Sequence, residues 1–192
     1  MSPRTKEQYS KIRETSRKHI AEVALQLFAK YGYHATSVSQ IAAKAKISKG
    51  LLYNYFKSKD DLLKSIIENG LNEIMMMTEQ MKGGKNAKEK LSLLIKLSVE
   101  HLKKYTSFWD LFISLLLQPD VQKKTGAIFI QYRNEAVNLM AELFRQMDSE
   151  NPDMDAFSLG TQLDGLGLNY VAAPDKFPID KMKDYLIEKY CK

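Results

Sequence analysis

The sequence predicts an all-α protein: a three-helix helix-turn-helix head joined to a larger helical body. Three observations predict it. Apolar residues recur at i, i+3, i+4 and i+7 in segment after segment, with no strand pattern, internal repeat or low-complexity tract. Two short helical patterns between Thr36 and Leu62 are separated by a tight turn. The positive charge coincides with them: residues 1–64 hold 13 Lys and Arg against 5 Asp and Glu, net +8, whereas the rest holds 16 against 18, net −2. A basic domain beside a nearly neutral one is the electrostatic footprint of a nucleic-acid reader, the bland alternative being a solvated basic face. With 192 residues, 44% of them hydrophobic, the chain can build a substantial core.

Residues 1–12 are polar and basic and read as a mobile arm, with Arg4, Lys6 and Lys11 as possible DNA contacts. The first helix is expected from Arg13 or Thr15 to Tyr31, with Ile20, Val23, Ala24, Leu27 and Phe28 on its apolar face and Gly32 ending it. Val38, Ile41, Ala42 and Ala45 share one face of the second helix, and Ser37 with Gln40 is a capping-box start. Ser48 is the N-cap of the third, about Lys49 to Phe56. Ser58 caps a long fourth helix that carries Asp60 and Asp61 in its first turn and runs through Met75–Met77 to Met81. Lys82-Gly83-Gly84-Lys85-Asn86 breaks it. Further helices are expected over about Ala87–Lys104, around Phe108–Leu116, over about Asp120–Met147, from Met154 or Asp155 to Ala172, and over Ile179–Tyr190. The predicted organisation is an arm (1–12), a head (13–73, with the helix-turn-helix at about 37–56) and a body (74–192).

The stretch from Thr36 to Leu62 resembles the DNA-binding signature of the TetR family of bacterial transcriptional regulators. The pattern is met by Thr36, Ile41, Ala42, Ala45, Ser48, Gly50, Tyr53, Tyr55, Phe56, Lys59 and Leu62, with Ile47 in place of valine and Lys46 where the turn usually holds glycine. The resemblance is strong over the first third of the chain; beyond it only length and helical pattern agree. It implies a dimeric regulator, most simply a repressor, whose second motif helix enters the major groove of a palindromic double-stranded DNA operator. It assigns DNA contacts to Thr36, Ser37, Ser48, Lys49, Gly50, Leu51, Tyr53, Asn54, Tyr55 and Lys59. Lys49 is the candidate for reading guanine; Tyr55 and Lys59 match phosphate-binding positions.

The same resemblance implies a ligand-binding and dimerisation body. A small-molecule effector would meet Tyr105, Phe108, Trp109, Phe112, Tyr132 and Met140, although the default reading of any one of them is ordinary core. The homodimer would form through the last two helices, with Phe157, Gly160, Leu163, Gly167, Tyr170, Met182 and Leu186 as candidate contacts. Gly160, Gly165 and Gly167 inside a helical pattern each cost up to ~1 kcal/mol against alanine, which suggests close helix approach. An effector-independent DNA-binding protein and a helical enzyme with a basic head stay open as alternatives.

The remaining composition excludes other classes. Cys191 is the sole cysteine, so no internal disulfide or cysteine zinc site can form, which fits a cytoplasmic protein. No secretory signal or membrane span is expected. His19, His34 and His101 lie in separate segments without zinc-ligand spacing, and no nucleophile motif occurs, so neither catalysis nor a cofactor is implied.

Overall fold

The computed structural model describes residues 6–116 and 118–192, all its regular structure there being helical. The elements are α1 (Lys6–Tyr31), α2 (Val38–Lys44), α3 (Lys49–Tyr55), α4 (Lys59–Gln80), α5 (Ala87–Lys104), α6 (Thr106–Leu116), α7 (Pro119–Gln146), α8 (Pro152–Ala172) and α9 (Ile179–Cys191), with a 3₁₀ turn at Met81–Gly83. They form two compact units, Met1–Asn69 and Gly70–Lys192. The expected arm is helical from Lys6 onward. A Glu14–Lys18 pair at 3.2 Å and the Thr15 hydroxyl donating to Lys11 O support this first part of α1. Arg4 and the Lys6 and Met77 side chains lie outside the described residues.

The caps form as the local sequence requires. Ser37 Oγ accepts from Gln40 N while Gln40 Oε1 accepts from Ser37 N, the reciprocal pair that satisfies two free donors of α2. Ser48 Oγ accepts from Leu51 N, and Ser58 Oγ from Asp61 N, whose carboxylate in turn accepts from Lys57 N. Asn86 caps α5 from Glu89 N. Gly32 ends α1 at φ 84°, a left-handed position open to glycine at no steric cost.

Lys46 also takes a left-handed conformation, φ 57°. Its amide donates to Ala43 O and that of Ile47 to Ala42 O, the tight turn of the motif. A lysine here carries a strain that glycine avoids. Lys46→Gly is therefore expected to stabilise the first unit by about 0.5–1 kcal/mol, after the extra unfolded-chain entropy of glycine is subtracted. A denaturation midpoint that does not rise would remove the strain.

Ile20, Ala24, Phe28, Ile41, Ala42, Leu52, Phe56, Leu62 and Leu63 form the core of the first unit. Leu52 and Phe56, at 0% and 1% exposure, anchor the short α3, and each such burial is worth about 1.5–3 kcal/mol. In the second unit α7 packs along α8, and α5 along α9, around Leu91, Ile95, Val99, Phe144, Leu159 and Leu166. Gly70 on α4 leaves room for the Phe108 ring of α6, which a Cβ there would overlap. Among the described residues no helix is long and apolar enough to cross a membrane.

Candidate functional site

The buried positions of α3 determine which residues it presents. With Leu52 and Phe56 turned into the core, Lys49, Gly50, Leu51, Tyr53 and Asn54 are exposed. Leu51 and Tyr53 are 39% and 45% exposed, which leaves apolar and aromatic area open to solvent. A Cβ on Gly50 would meet nothing within 4 Å, so the backbone at the start of α3 is open to close approach. Ser48 and Ser37 are exposed, each hydroxyl oxygen accepting from its own helix. This row of one lysine, a bare backbone, a phenol and an amide offers the hydrogen-bonding groups that can meet base edges and phosphates.

Three of the DNA candidates are engaged otherwise than expected. Thr36 is 2% exposed, and its hydroxyl donates to Gly32 O at 2.8 Å, closing the end of α1. A buried, occupied hydroxyl cannot reach phosphate. Lys59 Nζ donates to Tyr33 O at 2.8 Å, Thr36 O at 2.9 Å and His34 O at 3.4 Å, and lies 4.4 Å from the Tyr33 ring centroid. An ammonium has three donors, so the expected phosphate contact gives way to a clamp on the loop between α1 and α2. Tyr55 is half-buried, with the Arg13 guanidinium over its ring at 5.3 Å.

In the second unit the structure gathers Tyr105, Phe108, Trp109 and Phe112, and adds two residues the sequence did not single out for a site, Phe129 and His101. Ring centroids are 5.6 Å apart for Phe108–Trp109, 5.4 Å for Trp109–Phe112 and 4.8 Å for Phe112–Phe129, edge-on. His101, 4% exposed, lies 4.5 Å from the Tyr105 ring centroid, and its Nδ1 accepts from Trp109 Nε1 at 3.2 Å. An accepting Nδ1 places the proton of the neutral ring on Nε2, a buried donor that makes no hydrogen bond. Burial, with Lys104 nearby, lowers the His101 pKa to about 4, so the ring is neutral at pH 7. The signal for His101 was present as a polar residue on the apolar face of α5; for Phe129 only packing across α6 and α7 reveals it.

Tyr132 and Met140 have other neighbours. Burial, and then the Asp164 charge, pushes the Tyr132 phenol well above its ordinary range. Burial raises Asp164 as well, against the opposing Arg133. Met140, 4% exposed, sits in the core beside Gly160.

The candidate dimer contacts divide the same way. Gly160 faces its own chain, a Cβ there lying 3.4 Å from Met140 Cε. Leu163 and Tyr170 pack on the core, Gly167 is buried, and Leu186 is 1% exposed. Only Phe157, at 46%, is well exposed; Met182 is half-buried. At 100° per residue, the outward face of α8 is instead Met154, Phe157, Thr161, Gly165, Leu168 and Ala172. Met154 and Leu168 are 67% and 54% exposed on it, and Tyr185 of α9 is 57% exposed. Thr161, Gly165, Phe177 and Met182 line a groove between α8 and α9 of about 360 Å³.

Together these features define a helix-turn-helix protein whose second motif helix, α3, is capped and exposed on one face. Residues 20–66, which span the helix-turn-helix, match the model for bacterial regulatory proteins of the tetR family. It is similar to the fatty acid metabolism regulator protein of Bacillus subtilis, 40% identical over 77 residues, which is 40% of each chain. The chain thus spans well under half the length of that curated relative. Its fold is that of the transcriptional regulator FadR from Bacillus subtilis in complex with stearoyl-CoA (TM-score 0.75, 23% identity, 91% of this chain and 97% of that one). It is also that of AibR in complex with isovaleryl coenzyme A and operator DNA (TM-score 0.73, 22% identity, 92% and 98%).

Proposed function

We propose that the chain is a sequence-specific DNA-binding transcriptional regulator. It works in the cytoplasm as a homodimer that represses from a palindromic operator, and a small-molecule effector in the body releases it. The observation that carries this reading is the exposed row Lys49, Gly50, Tyr53 and Asn54 on a capped α3, inside a segment of net charge +8. The experiment is selection from a random duplex pool. A palindromic sequence should be enriched, with log affinity falling linearly in log salt by about 0.9 for each phosphate neutralised. Lys49→Ala should relax preference at one base position and cost about 1–3 kcal/mol there. Equal loss on every sequence would assign Lys49 to the phosphate backbone instead.

The aromatic cluster with its neutral His101 donor suits an effector that combines apolar surface with a hydrogen-bond acceptor. Acyl thioesters of coenzyme A, the class held by the two structural neighbours above, meet that description. Trp109 is the single tryptophan and lies in the cluster, so its emission reports binding of stearoyl-CoA or isovaleryl-CoA directly. By linkage, operator DNA must lower effector affinity by the factor by which effector lowers DNA affinity.

The outward face of α8 supports the homodimer: Met154, Phe157 and Leu168 are too exposed for a helix that packs its other face so fully. A two-fold pairing of α8 and α9 would give a four-helix bundle of isologous contacts. Replacing Phe157 and Leu168 together by glutamate should cost at least ~3 kcal/mol of dimer stability, more than a hundredfold in the dissociation constant. Sedimentation at micromolar concentration reads this, with circular dichroism checking the fold; an intact dimer moves the interface away from this face.

A further inference from the structure

The last turn of α3 is held by side chains from the part of α1 that lies before the matched family segment. Helix α3 has only seven residues, and a helix of that length is marginal without external support. Its final carbonyls have no partner within the helix. Arg13 Nη2 donates to Asn54 O at 2.9 Å, and Arg17 Nη1 donates to Tyr55 O. Each guanidinium also lies over a ring at the same end: Arg13 over Tyr55 at 5.3 Å and Arg17 over Phe56 at 4.3 Å from the centroid. The two arginines are four apart on α1 and so share one face. Cations at a helix C-terminus also meet the negative end of its dipole. Asn54, whose carbonyl Arg13 holds, presents its side chain on the reading row, next to Tyr53.

We propose that Arg13 and Arg17 are positioning residues that fix the angle and depth of α3, and that sequence selectivity depends on them although they read no base. This rests on the DNA-binding reading above. The fork geometry is what matters: each guanidinium bonds a carbonyl while lying over a ring, whereas a lysine supplies the same charge without the planar fork. A clamp therefore separates from simple phosphate attraction, which lysine satisfies as well.

The test uses the full chain with Arg13→Lys and Arg17→Lys combined, and with Arg13→Lys alone should the pair impair folding. The probes are the duplex enriched from the random pool by the unaltered protein, and a random-sequence duplex. The expected result is a fall of about tenfold in the ratio of the two affinities, the discrimination that one well-placed side chain gives at a base edge. Affinity for the random duplex and its salt slope should not change, because both charges are kept. Amide hydrogen exchange of the DNA-free protein should quicken at Tyr53–Phe56. An unchanged affinity ratio overturns the selectivity role, and unchanged exchange overturns the clamp. Failure of the unaltered protein to enrich any duplex would overturn the DNA-binding reading and the selectivity role with it, while exchange would still report on the clamp.

Discussion

The Lys59→Ala protein is expected to lose about 2 kcal/mol of stability in its first unit, the range for hydrogen bonds to a charged group in a half-buried setting. Lys59 Nζ gathers the carbonyls of Tyr33, His34 and Thr36, which lie where α1 ends and α2 begins. Alanine leaves those oxygens facing one another without a cation. The segment that carries Thr36 and the Ser37 cap then loosens, and α2 with it. A chemical denaturation curve followed by helix signal measures the loss. A phosphate ligand at this position would behave otherwise: stability would hold, and the salt slope of DNA binding would fall by about one.

Acidification from pH 7 to pH 4 is expected to remove roughly 2–3 kcal/mol through His101 alone, each pKa unit being worth about 1.4 kcal/mol. In the unfolded chain its pKa is 6.5; in the fold burial, and secondarily Lys104, bring it to about 4. Above pH 6.5 both states are neutral and the group contributes no slope. Between pH 6.5 and 4 the unfolded chain takes up a proton that the fold resists, so stability falls as pH falls. Protonation also turns Nδ1 from acceptor to donor and breaks its bond with Trp109 Nε1, so tryptophan emission should change over the lower part of the window. His101→Gln should flatten this component of the pH profile. An unaltered profile in that variant would place the acid sensitivity in other groups.

What the sequence made legible follows from local physics. The apolar spacing of Ile20–Phe28, Val38–Ala45 and Leu91–Leu102 marks helices because 3.6-residue periodicity is written directly in the chain. Ser37, Ser48 and Gly32 mark ends because caps and left-handed turns act within three or four residues. The Lys46 turn kept its left-handed shape because Ile41, Ala42, Leu52 and Phe56 bury around it, outweighing about 1 kcal/mol of strain. The start of α1 was less legible: a polar, basic run reads as an arm, since the signals that extend it are a surface ion pair and contacts to α3.

By itself, then, the sequence determined that this protein is all-helical, where most of its helices lie, and that a short capped helix begins at Lys49 within a basic segment. Which way individual polar groups and small residues point was decided only by the tertiary structure. Thr36 and Lys59 match a DNA-contact pattern by position, yet both are spent on the backbone between α1 and α2. Gly160 sits on the inward side of α8 against Met140, whereas Met154, Phe157 and Leu168 face out. His101 gains its neutral, unpaired Nε2 only where α6 brings Trp109 against α5. The physical reason is common to all three. A hydrogen-bond donor or a helix face is satisfied by whatever comes nearest in space, and that neighbour can lie tens of residues away, as Lys59 lies 26 from Tyr33.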